Sequence, residues 1–111
     1  EGSRSRREGL CKMKKNPIAV KNDLFRTTFF GCRVVVSESL HRSPKKEGVL
    51  TAVRSFNDFN KDNDPYGEHD CAFFEVDGEL FYFKFDYYDD NFEFYKEDGN
   101  RVLTIGFSSD Y

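Results

Sequence analysis

The stretch Asp62-Asn63-Asp64-Pro65-Tyr66-Gly67-Glu68-His69-Asp70 holds the densest set of groups in this sequence that could do chemistry. An imidazole ordinarily changes charge near neutrality, and His69 is flanked by carboxylates. Asp64, Glu68, His69 and Asp70 together could therefore run acid–base chemistry or metal-assisted hydrolysis. A metal site needs three or four converging ligands, and the stretch has no second histidine nearby and no H-x-x-x-H spacing. Counted from Asp62, Gly67 falls at the sixth position of a calcium loop, but Phe73 stands at the twelfth, where the bidentate glutamate belongs. No metal and no cofactor is assigned. Cys71 and His69 lie two apart and would point the same way on a strand, yet no orienting third group and no oxyanion device accompanies them. The competing reading is structural. Pro65 presets φ for a tight turn, Gly67 supplies a permissive position, and the Asp side chains cap backbone N–H groups. On that reading Asp64, Tyr66 and His69 hold the crossing from a helix-like half to a strand-like half.

A second set comprises Tyr82, Asp86, Tyr87, Tyr88, Asp89, Asp90, Glu93 and Tyr95. Exposed aromatics on a sheet can stack bases. Here the interleaved carboxylates would repel phosphates, and the isolated glycines form no phosphate loop. Against a protein the same mixture fits better, because tyrosine is enriched at interfaces and acidic groups steer approach to a basic partner. Asp86, Asp89, Asp90 and Glu93 would crowd around Tyr87 and Tyr88 at a turn.

Charge supports that division. Residues 1–57 carry 13 Lys+Arg against 5 Asp+Glu, a balance of +8, and residues 58–111 carry 4 against 15, a balance of −11. So acidic a half does not suit direct nucleic-acid binding. With 111 residues the chain is one domain with a modest core. No apolar run approaches the roughly eighteen residues of a membrane span, and the polar, basic start lacks a signal-peptide pattern. Residues 1–15 read as a tag or disordered basic extension, leaving a single domain over 16–111. Cys11, Cys32 and Cys71 form an odd set without a C-x-x-C pair, which suits reduced thiols in a cytoplasm. His41 falls in a polar stretch and receives no role.

These groups must be positioned by a small set of elements. Asn16-Pro17 gives an N-cap and first-turn proline, and Val20, Leu24, Phe25 and Thr28 recur at helical spacing up to a capping Gly31. This predicts a helix over 17–30. Residues 32–37 are β-branched and read as a strand. Ser43-Pro44 repeats the start signal, and Val49, Leu50, Val53, Phe56 and Phe59 extend a second helix over 44–60. The pattern then switches to a period of two. Asp77-Gly78 signals a hairpin that sets Phe74 opposite Phe81 and Ala72 opposite Phe83. Phe74, Val76, Phe81, Phe83 and Phe85 then share one face, with Phe73, Glu75, Leu80, Tyr82 and Lys84 on the other. Asp98-Gly99 repeats the signal, setting Phe94 opposite Leu103 and Phe92 opposite Ile105. The expected fold is α+β: two helices on one face of a mainly antiparallel sheet of about five strands, in the order α-β-α-β-β-β-β.

Several of these motifs carry a resemblance. The run from Asp64 to Asp70, then Phe74-Glu75-Val76-Asp77-Gly78-Glu79, Asp86-Tyr87-Tyr88-Asp89 and Arg101-Val102-Leu103-Thr104-Ile105 resembles the bacterial domain-of-unknown-function family 3768. Asn22-Asp23, Phe25-Arg26 and Ala52-Val53-Arg54 extend the likeness, so that it covers about 18–111. The family has no established activity, and the resemblance implies a kinship with cargo of plasmids and integrative elements of proteobacteria. Relatives often carry a longer insert at Asp90-Asn91-Phe92. The functional expectation is a small, acidic, non-enzymatic protein of a mobile element, docking without membrane or nucleic acid on a basic protein surface. A host defence nuclease of the restriction or CRISPR type is one concrete partner. The alternative is a small enzyme built on Asp64, Glu68, His69 and Asp70.

Overall fold

The computed structural model describes residues 16–111, so the basic extension over 1–15 lies outside the described residues. Helix α1 spans Pro17–Thr28, and the Asn16 side chain accepts from the Ile18 N–H as its N-cap. It stops two residues short of the predicted end. Phe29 takes the left-handed conformation at φ 58° and returns its N–H to the Phe25 carbonyl, so Phe29, and not Gly31, is the cap. Strand β1 (Arg33–Val36) follows, then a single turn of helix, α2 (Glu38–His41), and α3 (Lys46–Ser55).

The predicted helix over 44–60 is thus shorter at both ends. Phe56 is extended at φ −64°, ψ 134°. Beyond it, asparagine side chains take over backbone bonding. Asn60 Oδ1 accepts from the N–H groups of Asp62 and Asn63, and Asn63 Oδ1 accepts from the Asn60 N–H. Such local side-chain bonds compete directly with the helical ladder. Phe56 and Phe59 still reach the core, where they pack edge to face at 5.0 Å, but they arrive from a loop.

Three further strands complete the sheet: β2 (Cys71–Val76), β3 (Glu79–Tyr88) and β4 (Asn100–Phe107), and Ser108–Asp110 then form one turn of 3-10 helix. The first hairpin has the expected register, with Phe74 opposite Phe81 and Ala72 opposite Phe83. Its turn needs φ > 0 at both central residues, and Asp77 and Gly78 supply 53° and 82°.

The second Asp-Gly pair behaves differently. Asp98 has φ 53°, but Gly99 is not in the left-handed region. No strand precedes it, since residues 89–99 are irregular apart from one bridge between Tyr88 and Tyr95. Leu103 and Ile105 therefore face Phe85 and Phe83 of β3, not Phe94 and Phe92. Other contacts hold this pair. Arg101 bonds both the Asp98 carboxylate and the Gly99 carbonyl, and any Cβ on Gly99 would collide with the carbonyl oxygens of Tyr88 and Lys96. Glycine here permits a close backbone approach instead of a two-residue turn.

The outcome is an α+β fold with four strands, not five, in the order β1-β4-β3-β2. The sheet is mixed, because β1 runs parallel to β4. Leu40, Val49 and Val53 from the helices close over Phe74, Phe81, Phe83, Phe85, Leu103 and Ile105 from the sheet, with Ile18 and Phe25 of α1 packed against them. Each fully buried Phe contributes roughly 1.5–3 kcal/mol. On the opposite face the C-terminal Tyr111 folds back over Tyr82 and Phe73, with ring centroids 5.0 and 5.2 Å apart.

Candidate functional site

The crossing between α3 and β2 is built around Asp64. Its side chain is buried, and its carboxylate accepts from the N–H groups of Glu68 and His69. These bonds hold His69 at φ 55°, an unusual conformation for a residue with a Cβ. The imidazole lies flat on Phe59, centroids 4.0 Å apart and planes within 4°. Its Nδ1 meets the Asp23 carboxylate at 2.9 Å, and its Nε2 lies 3.6 Å from Asp64 Oδ2. Arg26 closes the arrangement from α1. Its guanidinium donates to Asp23 at 2.9 Å and to the Val53 carbonyl at 2.8 Å, while its Nε stays buried without a partner.

Asp64 and His69 therefore do tie helices to sheet, whereas Tyr66 is 83% exposed and ties nothing by its ring. Asp23 and Arg26 were missed as members of this group. One signal was present: they sit three apart on α1, one turn of helix, but only the folded chain brings them to His69. A cavity of about 420 Å³ opens beside Phe59, Asp64 and His69. Glu68 and Asp70 do not line it. Their carboxyls face one another, and burial, ahead of mutual repulsion, raises Glu68 above its ordinary range. Asp70 is raised as well, again chiefly by burial. Among the described residues no group of three or more His, Cys, Asp or Glu side chains is arranged to hold a metal ion. Cys32 and Cys71 are free thiols whose pKa is pushed up by burial. Cys71 adjoins the Tyr111 hydroxyl, not His69.

A second polar network adjoins the first, centred on Asn22 beside Asp23 in the middle of α1. The fully buried Asn22 donates to the Glu68 carbonyl and to the Tyr87 hydroxyl, and accepts from Arg101 Nε at 2.6 Å. Burial pushes the Tyr87 phenol up to about 12.

These contacts revise the aromatic–acidic set. Tyr87 continues the Phe81-Phe83-Phe85 parity and is buried on the core face. Tyr82 is on the outer face but only 3% exposed beneath Tyr111. Neither ring is open for contact. Asp86 is engaged by Lys84 at 3.4 Å. Asp89 accepts from the N–H groups of Asn91 and Glu93, and these backbone bonds lower its pKa. It serves as a turn cap. Tyr88 is half-buried near Phe92. Asp90, Glu93 and Tyr95 remain exposed, joined by two residues outside the sequence-derived set, Phe94 and Glu97. Phe94 and Tyr95 are each 71% exposed.

A family model described as "Protein of unknown function (DUF3768)" matches residues 35–110. The chain belongs to the DUF3768 family. The match takes in the crossing, the irregular link and the sheet from the middle of β1 onward, and begins after α1, so Asn22, Asp23 and Arg26 lie outside the matched stretch. No curated protein and no solved structure matches the chain. No helix among the described residues is long and apolar enough to cross a membrane.

Proposed function

We propose that this DUF3768 chain is a non-enzymatic binding protein that docks on a basic protein surface through its irregular link, residues 89–99. The observation that carries this reading is the exposure of Phe94 and Tyr95 in a segment whose neighbours Asp90, Glu93 and Glu97 are also exposed. Binding residues fall disproportionately on exposed loops held by a rigid scaffold. Exposed aromatics supply anchoring area, while carboxylates around them speed approach to a basic groove. A basic surface that ordinarily holds nucleic acid would suit such a patch. A host defence nuclease, of the restriction or CRISPR type, is the form that fits the family's resemblance to mobile-element cargo.

The test is affinity capture from the native host at low and moderate salt. Wild type is compared with a variant carrying Asp90→Asn, Glu93→Gln and Tyr95→Ser. Asp89 is left intact because it caps the turn. A partner held by wild type should weaken as salt screens the patch and be lost from the variant. Equal capture by both at every salt concentration refutes the reading.

The enzymatic alternative keeps one supporting observation. Asp23 meets His69 Nδ1 beside an open cavity, the kind of pairing that orients an imidazole base, although Nε2 sits 3.6 Å from Asp64 Oδ2. Against it, Asp64 is engaged with two backbone N–H groups, and Glu68 and Asp70 fall outside the cavity.

A further inference from the structure

A cavity of about 450 Å³ lies between α1 and the far end of the link. Lys21, Leu24 and Phe25 form one wall, and Lys96, Asp98 and Arg101 stand among the residues opposite. The volume falls in the range of small-molecule sites. Its charge runs against that of the half of the chain that supplies the link. The Asp98 carboxylate is already bound on both oxygens, by Lys21 at 3.2 Å and by Arg101 at 2.6 Å. Asp90, also in the lining, accepts from the Asn100 side chain at 3.2 Å. Lys96 makes no ion pair among the described residues. Three cations against two carboxylates leave one positive charge without a countercharge. Leu24 is 57% exposed beside it, and the Phe25 ring stands 5.6 Å from the Arg101 guanidinium carbon. Arg101 itself is buried and held from beneath by Asn22, so the floor is rigid.

We propose that this cavity binds a small organic monoanion with an apolar body, in class an aryl or branched-chain carboxylate. The carboxylate meets Lys96, which has no ion-pair partner among the described residues, and the apolar body covers Leu24 and the edge of Phe25. Polyphosphates are disfavoured, because their further charges would face Asp90 and Asp98 across a site with one net positive charge. A metal ion is disfavoured by the three cations. The cavity shares Asp90 and the far end of the link with the docking surface, but neither of that surface's exposed rings, Phe94 and Tyr95, lines it.

The experiment is an amide-resolved NMR titration of the full chain with phenylacetate, with neutral phenylacetamide and with acetate. Phenylacetate should give saturable shifts confined to the neighbourhood of residues 21–25, 31 and 96–101. Phenylacetamide and acetate should each bind about tenfold more weakly, for want of charge and of apolar body respectively. Lys96→Gln and Leu24→Ser alter exposed side chains, so both variants should fold, and each should weaken phenylacetate about fivefold. Four outcomes overturn the proposal: no saturation with phenylacetate, equal affinity for the amide, unchanged affinity in Lys96→Gln, or shifts centred elsewhere.

Discussion

The α1–sheet contact and the 89–99 link put polar and charged side chains to opposite ends. Beneath α1, Asn22, Arg26, Asp64 and Arg101 are buried, and each is hydrogen-bonded. In the link, Asp90, Glu93 and Glu97 stand in water, and Phe94 and Tyr95 are exposed beside them. A buried polar group stripped of its partner keeps its full desolvation penalty, so the first region has little freedom to change. An exposed carboxylate in water carries no such penalty, so the link can vary its surface without risking the fold. The contrast separates residues that hold the molecule together from residues available to a partner.

The largest effect should come from Asn22→Ala. It removes three hydrogen bonds and leaves the buried Arg101 partly unpaired. We expect a loss of about 3 kcal/mol in urea denaturation; a loss as small as that of a surface substitution would erase the distinction between the regions. Asp64→Ala should follow at about 2 kcal/mol, because Glu68 and His69 lose their shared acceptor. Asp64→Asn should cost less than half as much, since one oxygen remains.

Asp70 sharpens the comparison by pH. Its carboxyl is raised by burial, so the folded state holds the proton to higher pH than the unfolded chain does. The resulting stability is fully present below the unfolded value, near 4, and is lost as pH rises through the folded one. Asp70→Asn should therefore raise the melting temperature at pH 7, with the gain shrinking toward pH 4. A gain that persists at pH 4 would mean the carboxyl's charge is not the cause. The smallest effects belong to the link, where Phe94→Ser, Tyr95→Ser and Glu93→Gln should each stay within about 0.5 kcal/mol of wild type. A larger loss at Phe94 or Tyr95 would show that these rings support the fold.

Much of the molecule follows from local pattern. Asn16-Pro17 starts α1, and the alternation around Asp77-Gly78 sets the β2–β3 register residue by residue. Period two and a primed turn are short-range instructions, satisfied by neighbours in the chain. The parity that buries Phe81, Phe83 and Phe85 also reaches Tyr87, so its burial was legible once the pattern was carried two residues further. Family membership was legible too, from motifs inside the matched stretch.

Other features depended on partners distant in sequence. Asp98-Gly99 carries the same letters as Asp77-Gly78, yet Lys21 of α1 reaches the Asp98 carboxylate, and β4 finds its partners in β3 and, in parallel, β1. Tyr82 faces outward by parity and is nonetheless covered, because Tyr111 returns from the chain's end. Asp23 reaches His69 across 46 residues. Local sequence sets backbone conformation through sterics and neighbouring hydrogen bonds. Which side chains share a cavity, a cation or a covering ring was decided only when α1, the link and the C-terminus packed against the sheet.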